Sequence, residues 1–288
     1  MDILITGLLL GATYSLIAIG LSLQYGVARI MNLANGEMLV AGAFGAFWVF
    51  TAQTLSPFTA ALFVVPGAFA LNWLIYRVLL RPLVRRAKSR GMLEVETILA
   101  TFGMSFAFVG IMLLVFGGSY FTYSYLAEPY RILGSPYGLN RVVASAVAVV
   151  ICGLLYWGVH GTRTGMAIRA VAVDPAAASL VAIDVPRVSA LSFALGGAVT
   201  AAGGIVLSTF LTMDASIGVV FTMKALIIVI MGGVGDVRGA IIASLILGLA
   251  ETVVASLIDP GLTLAAAYLL FLLVLLFRPE GLFGRRQS

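Results

Sequence analysis

The chain has 288 residues, of which 61% are hydrophobic and 10% are charged, and its mean hydropathy is +1.11. A soluble domain carries roughly 25% charged residues, so this composition excludes soluble, disordered, collagen-like and disulfide-stapled proteins and predicts a polytopic membrane protein. The net charge of +5 is better explained by basic cytoplasmic loops than by a nucleic-acid partner.

Nine apolar stretches have roughly the 20 residues that a helix needs to cross a bilayer. They are residues 3–25, 36–54, 57–78, 97–117, 141–159, 188–211, 219–235, 239–258 and 262–277. The stretch 219–235 contains Lys224 and ends in glycines, which predicts a short or broken span. Residues 27–36 are too polar to cross and are expected to form a re-entrant or interfacial segment. The predicted fold class is an all-α, polytopic membrane helical bundle of eight to nine transmembrane helices.

Cations are concentrated in three regions, 77–90, 163–187 and 278–286. The positive-inside rule places all three regions in the cytoplasm. The aromatic-rich segment 118–140 contains Arg131 as its only cation, which is typical of an outer interfacial segment. Nine spans then place the N-terminus outside and the C-terminus in the cytoplasm.

The sequence predicts neither a catalytic centre nor a metal site. Its single cysteine, Cys152, and single histidine, His160, exclude a disulfide framework and a Cys/His metal cage within one chain. No P-loop and no GxGxxG motif is present. A solvated interfacial His160 is favoured over a catalytic one, which would need a partner base. We therefore expect a chain that is not an enzyme, binds no cofactor and cannot hydrolyse ATP itself.

Four ionisable residues lie at or within predicted spans: Glu37, Lys224, Asp236 and Glu251. Such groups are costly in a membrane and indicate function by default. Lys224 has the alternative of extending outward to water, and Glu37 and Asp236 lie at span ends. Glu251 lies in mid-span, so it should face the bundle interior or pair with a polar group. A structural hydrogen bond and a transport role both stay open for it.

Two glycine-containing polar segments interrupt apolar sequence near presumed cytoplasmic ends. The first is NLANGE, which includes Asn32, Asn35, Gly36 and Glu37, and the second is GGVGDVRG, which includes Gly232, Gly233 and Gly235. Broken helices are tolerated in membranes only where they line a cavity or are buried in protein. Both segments are therefore candidates for a gate or its hinge.

The second cytoplasmic loop carries the strongest local pattern. A helix is predicted from about residue 164 to 173, after which Asp174 can cap a second helix that has Pro175 in its first turn. This second helix is expected to continue until Val185–Pro186 interrupts it. Its alanine-rich surface, with Ala176, Ala177, Ala178 and Leu180, is typical of a helix that docks into a groove of another protein. An amphipathic helix lying on the lipid surface is the alternative.

The same residues carry a family resemblance over essentially the whole chain. Residues 11–27, GATYSLIAIGLSLQYGV, and 31–44, MNLANGEMLVAGAF, resemble the N-terminal signature of the shorter permease subunit of bacterial branched-chain amino acid ABC transporters. RPL (81–83), FGMS (102–105), IRAVAVDPAAASL (168–180), MKA (223–225), GGVGDVRGAIIASLILGLAE (232–251) and RPEGLFG (278–284) match in order. The chain departs from the pattern at Ala182, where glycine is usual, and at Asn35, where histidine is common.

This resemblance implies a single permease domain over residues 1–288, with a cytoplasmic coupling loop at about 160–187. It also implies that the protein lies in the bacterial inner membrane. The partners implied are a homologous second permease, two cytoplasmic ATPase subunits that bind ATP and Mg, and a periplasmic or tethered solute-binding protein. The implied ATPase-coupling residues are Asp174, Pro175, Ala176, Ala177, Ala178, Leu180 and Ala182. The candidate pathway and gate residues, which come from the polar segments and the ionisable groups within spans, are Asn32, Asn35, Gly36, Glu37, Lys224, Gly232, Gly233, Gly235 and Glu251.

Three other functions compete with import of leucine, isoleucine or valine. Related permeases carry urea and short amides, and the difference at Asn35 could reflect such a substrate. A stand-alone ion-coupled transporter would place paired acids or a cation site near the bilayer midplane, and only Glu251 fits that requirement. An intramembrane enzyme would need a nucleophile–base pair or metal ligands that the sequence does not offer.

Overall fold

The computed structural model describes residues 2–53, 55–87, 89–132, 135–278 and 281–283. Their helices are α1 (Asp2–Ala28), α2 (Asn35–Gln53), α3 (Ala61–Ile75), α4 (Arg81–Arg86), α5 (Arg90–Phe116), α6 (Leu139–Gly161), α7 (Arg163–Val173), α8 (Pro175–Leu180), α9 (Val185–Ser208), α10 (Gly218–Gly232), α11 (Val237–Leu257) and α12 (Thr263–Phe277). Shorter elements are 3-10 turns at Pro57–Ala60 and Pro260–Leu262, a π-helical turn at Tyr76–Leu80, and an antiparallel hairpin of β1 (Pro129–Ile132) and β2 (Ser135–Gly138).

Seven helical segments of the described residues are long and apolar enough to cross a membrane. They are Asp2–Ala28, Pro57–Arg86, Gly91–Phe116, Leu139–Gly161, Val185–Ser208, Val237–Leu257 and Pro260–Phe277. The two remaining predicted stretches form α2, with 19 residues, and α10, with 15 residues. A helix of 15 residues is about 22 Å long, which is shorter than the roughly 30 Å hydrocarbon core. The polytopic helical bundle is confirmed, and so is the short span at 219–235.

Helix α9 lies at the centre of the bundle, where it packs against α1, α2 and α3, and α1 also packs against α6, α10 and α11. Glycines let these helices approach backbone to backbone. A Cβ built on Gly11 would lie 2.7 Å from the Cα of Leu245. One on Gly42 would overlap the carbonyl oxygen of Ala201, and one on Gly204 would overlap that of Leu39. Such close packing holds membrane helices together, because the hydrophobic effect does not favour contact between helices over contact with lipid.

Two helices begin in the interior of the bundle. Helix α1 ends at Ala28, but α2 begins at Asn35 beside Thr200, against which Gly20 in the middle of α1 also packs. Residues 29–34 therefore turn back into the bundle, as expected for a re-entrant segment. Helix α10 also begins inside, because Gly218 lies directly against Gly36. The starts of α2 and α10 thus meet in the interior.

The cation-rich regions share one end of the bundle, called the basic end below. At this end Val27 packs with Ile168, Val171 and Ala178, and Ala28 packs with Tyr76 and Leu80. The backbone nitrogen of Leu282 donates to the carbonyl of Met231 at 2.7 Å. The regions 77–86, 163–187 and 278–283 therefore lie together wherever they are described, in agreement with their predicted common side.

The aromatic segment 118–140 lies at the opposite end. The hydroxyls of Ser135 and Tyr137 donate to Asp2 Oδ1 at 2.7 and 3.0 Å. Phe121 bridges to Met213 in the segment between α9 and α10. Burial raises the pKa of Tyr123 to about 12, so this hydroxyl stays protonated at neutral pH. These contacts attach the aromatic segment to the start of α1 and to the segment between α9 and α10.

Candidate functional site

The re-entrant segment 29–34 is buried or half-buried, and hydrogen bonds to side chains of three helices hold it and the start of α2. Asn32 Nδ2 donates to Gln24 Oε1 on α1 at 2.9 Å, while the Leu33 N–H donates to Thr101 Oγ1 on α5 at 3.2 Å. The Gly36 N–H donates to Thr222 Oγ1 on α10 at 2.8 Å. A helix start leaves backbone N–H groups without intrahelical partners, and in a membrane only protein or trapped water can satisfy them. Helices α1, α5 and α10 therefore hold residues 29–37, which are called the break below.

Asn35 and Glu37 lie at this break with both side chains fully buried. Thr200 Oγ1 donates to Asn35 Oδ1, and Ser105 Oγ donates to Glu37 Oε1, both at 3.1 Å. Among the described residues, neither Asn35 Nδ2 nor Glu37 Oε2 has a hydrogen-bond partner. The alternative of a solvated Glu37 at a span end is wrong, because α2 begins inside the bundle. Two polar atoms therefore remain available at the interior helix start.

Lys224 and Glu251 form a buried ion pair. Lys224 Nζ lies 2.8 Å from Glu251 Oε2, and the side chains are 11% and 3% exposed. Tyr14 completes the group, since its hydroxyl donates to Glu251 Oε2 at 2.9 Å and accepts from Lys224 Nζ at 2.8 Å. This arrangement confirms that Glu251 pairs with a polar group, and it excludes the outward-reaching Lys224. The three side chains together join α1, α10 and α11.

The turn between α10 and α11 is shaped by its glycines. Gly233 has φ +102° and Gly235 has φ +80°, which is the left-handed region that favours glycine. Gly232 packs against Gly239, where a Cβ would lie 2.5 Å from the carbonyl carbon. Asp236 caps α11 by accepting from the N–H groups of Arg238 and Gly239. Backbone geometry thus explains these residues, and their role as a hinge stays a prediction.

The C-terminal segment contributes to the same turn, a role that the sequence did not indicate. The N–H groups of Leu282 and Phe283 donate to the carbonyls of Met231 and Gly232 at 2.7 and 3.2 Å. These carbonyls belong to the last turn of α10, which no intrahelical donor satisfies. The described part of RPEGLFG therefore caps α10, which ends 46 residues before Arg278 in the sequence. Only the folded structure brings the two segments together.

Helices α7 and α8 confirm the predicted start of the surface helix. Asp174 separates them, and its Oδ1 accepts from the N–H groups of Ala176 and Ala177 at 2.8 and 3.1 Å. Pro175 occupies the first turn of α8. Asp174 thereby satisfies two backbone N–H groups that have no partner within α8. Pro175 fixes the backbone in a helical conformation at the first position.

The predicted end of that helix is wrong. Helix α8 ends at Leu180, and Pro186 lies in the first turn of α9, which Asp184 caps. The Ile183 N–H donates to the carbonyl of Ala178, and the Ala182 N–H donates to that of Ser179. This pair of bonds is a Schellman motif, and it places Ala182 at φ +62°. The usual glycine at this position would adopt that conformation without strain.

Helix α8 presents an apolar surface to the outside. Ala176, Ala177 and Ala182 are exposed, and Leu180 is 87% exposed. Ala178 points the other way, into a cluster with Val27 on α1. The predicted coupling residues therefore divide into an exposed face and one inward contact, and that contact seats the helix on the bundle.

The described residues contain no group of three His, Cys, Asp or Glu side chains that could hold a metal ion. His160 is exposed and stacks on Tyr156 with ring centroids 4.1 Å apart, as expected for an interfacial histidine. The sequence analysis did not single out four polar residues of this region, which lie within apolar runs: Tyr14, Gln24, Thr101 and Thr222. Their only sequence signal was that position.

Comparison with known proteins identifies the family. Residues 3–278 match the family model described as branched-chain amino acid transport system, permease component. The chain is 31% identical to the high-affinity branched-chain amino acid transport system permease protein LivH of Salmonella typhimurium, with 98% of this chain and 94% of that protein aligned. It is 29% identical to the permease protein BraD of Pseudomonas aeruginosa, with 99% and 95% aligned. A probable permease of Methanocaldococcus jannaschii is 26% identical, with 93% and 88% aligned.

The family match and the bundle of membrane-spanning helices agree over nearly the full length of the chain. Both confirm the resemblance that the motifs indicated. The chain therefore belongs to the branched-chain amino acid transport permease family and is a multi-pass permease component of a transport system.

Proposed function

We propose that the chain is a membrane subunit of an ATP-driven ABC importer that carries leucine, isoleucine and valine across a bacterial inner membrane. LivH and BraD are permease proteins of high-affinity branched-chain amino acid transport systems, which supports this substrate class. The urea or short-amide alternative rests on Asn35 alone. Asn35 is buried at the start of α2, so the replacement of histidine by asparagine there alters a side chain in the interior of the bundle.

The proposed complex contains two permeases, two ATPase subunits and a solute-binding protein. In it this chain performs no catalysis, and ATP and Mg bind to the ATPase subunits. The basic end faces the cytoplasm, in keeping with the positive-inside rule, and so does the C-terminus. The opposite, aromatic end receives substrate from the binding protein.

The exposed apolar face of α8 is the observation that carries the proposal. A helix with alanine and leucine on its outer face, capped at both ends by its own residues, is suited to enter a groove of an ATPase subunit. Ala178 packs against Val27, so a push on α8 reaches the end of α1. From there the motion reaches the break at 29–37, where Asn32, Asn35, Gly36 and Glu37 form the inner part of the gate.

The α10–α11 turn is the second moving part in this proposal. Gly26 at the end of α1 lies directly against Gly235, so α1 and the turn respond together. The Lys224–Glu251 pair, together with Tyr14, joins three helices near the interior start of α10. Its charges compensate each other, which favours a role in holding those helices over a role in carrying an ion.

Reconstitution tests this function directly. The chain is assembled with its partner permease, ATPases and binding protein in liposomes, and uptake of radiolabelled leucine, isoleucine, valine and urea is measured with and without ATP. We expect ATP-dependent uptake of the three amino acids. ATP-dependent uptake of urea alone would contradict the proposed substrate, and uptake that follows an ion gradient without ATP would contradict the importer itself.

A further inference from the structure

Four arginines line an open cleft of about 310 Å³ at the basic end, formed by Arg77, Arg81, Pro82, Arg85 and Arg86. The ion pairs found among the described side chains, Arg187–Asp184 and Lys224–Glu251, do not involve this cluster. Arg81 Nε is buried and has no hydrogen-bond partner among the described residues. The cleft therefore combines several positive charges with one unused donor, which suits it to bind an anion.

A local change of helix geometry forms this cleft. Pro82 has no N–H and its ring crowds the carbonyl four residues earlier, which disturbs an α-helix. The turn before it, Tyr76–Leu80, is π-helical, and the Arg81 N–H donates to the carbonyl of Tyr76, five residues back. π-Helical turns occur frequently at functional sites. The RPL motif thus widens the helix where the arginines begin.

The same segment carries the features of a membrane interface. The guanidinium carbon of Arg77 lies 5.0 Å from the centroid of the Trp73 ring, and tryptophan is enriched at headgroup level. Leu74 and Val78 are 52% and 65% exposed. A ligand in this cleft would therefore lie beside apolar side chains and an interfacial tryptophan.

We propose that this arginine cleft binds the phosphate of an anionic phospholipid. Guanidinium groups bind phosphate oxygens in a bidentate manner, and the flanking aliphatic side chains would lie along the acyl chains. The apolar surroundings favour a lipid over an acidic protein segment, which would approach from water. The proposal depends on the chain being a membrane protein, and it is independent of the substrate and partners proposed above.

Fluorescence quenching at Trp73 tests the site in the full-length chain. Trp48→Phe and Trp157→Phe leave Trp73 as the only tryptophan, and the protein is titrated in detergent with brominated phosphatidylglycerol or brominated phosphatidylcholine. We expect quenching at a lower mole fraction of phosphatidylglycerol. The variant Arg81→Gln/Arg85→Gln/Arg86→Gln keeps Arg77 over Trp73. Its preference for phosphatidylglycerol should fall at least about fivefold, the effect of one arginine near an anionic surface.

A charge-matched control removes three other arginines from the same end: Arg163→Gln/Arg169→Gln/Arg187→Gln. This control should keep the preference, and an equal loss in both variants would overturn the site in favour of general surface charge. Inorganic phosphate, compared with chloride at equal ionic strength, should not abolish the preference, since abolition would assign the cleft to a free anion. Loss of ATPase binding in the cleft variant with an unchanged lipid preference would assign it to a protein partner.

Discussion

The re-entrant segment 29–34 and the surface helix α8 are both short, and both interrupt the regular bundle, but their hydrogen bonds come from opposite sources. The buried segment and the start of α2 are held by Thr101 and Thr222, which are distant in sequence, and by Gln24 of the preceding helix. Helix α8 is closed by its own residues, with Asp174 at one end and the Schellman bonds at the other. The difference teaches that the first region depends on the assembled bundle, whereas the second can be altered on its surface without unfolding it.

The buried side of this comparison is tested most strongly at the ion pair. Lys224→Met leaves Glu251 buried without a cation, which should lower the free energy of unfolding by about 3–5 kcal/mol. The double variant Lys224→Met/Glu251→Leu should recover most of that loss, because both charges are then gone. Unfolding in mixed micelles measures both values. A single variant as stable as the parent would show that the pair does not hold the bundle, and a stable double variant without uptake would assign the pair to transport.

The surface side is tested by Ala177→Arg. This side chain is exposed, so the bundle should insert and fold normally. Burying an unpaired charge against an ATPase subunit costs several kcal/mol, which should lower ATPase affinity at least about hundredfold and abolish uptake. Thr122→Arg, on the exposed surface of the opposite, aromatic end, is the matched control for ATPase co-purification. Normal ATPase co-purification with Ala177→Arg would indicate that α8 lies on lipid or in water instead.

A single hydroxyl tests the dependence of the break on other helices. Thr222→Val removes the acceptor of the Gly36 N–H, and we expect a loss of about 1–2 kcal/mol in the free energy of unfolding. Thr252→Val is the matched control, because the Thr252 hydroxyl donates only to the carbonyl of Gly248 on its own helix. Equal losses in the two variants would mean that the bond across helices contributes nothing extra.

The cap of α8 should have a milder effect than its surface. Asp174→Ala removes the acceptor for two N–H groups, which costs about 1 kcal/mol. We expect partial loss of ATPase co-purification and of uptake, with normal membrane insertion. Asp174→Asn keeps a capping oxygen and should retain most activity. A loss as severe as that of Ala177→Arg would show that the carboxylate itself contacts the ATPase.

The smallest effect is expected at the other end of α8, and it has the opposite sign. Ala182 occupies the left-handed region at a cost of roughly 1–2 kcal/mol. Glycine would remove this strain, but it loses more conformational entropy on folding, which offsets part of the gain. Ala182→Gly should therefore stabilise the chain by about 0.5–1 kcal/mol in thermal unfolding. A destabilised variant would show that the Ala182 methyl group makes a compensating contact.

The sequence predicted those parts of the molecule that local residues determine. Apolar length located the helices, and Asp174–Pro175 located the start of α8. The end of α8 was missed because alanine at position 182 gives no local signal for a left-handed residue, although the family pattern has glycine there. The Lys224–Glu251–Tyr14 group and the bond from Thr222 to Gly36 depend on how helices cross, which no single stretch of sequence specifies. For the same reason Glu37, apparently at a span end, proved to lie inside the bundle.

The glycine contacts between α1, α2 and α9 also restrict how this protein can evolve. A single-base change in a glycine codon yields glycine again, a stop, or a residue with a Cβ. At Gly42 and Gly204 that Cβ would overlap a carbonyl oxygen of the facing helix. A mutation at either glycine would therefore change the spacing of these helices. We expect mutations that alter the solute carried to accumulate at other positions.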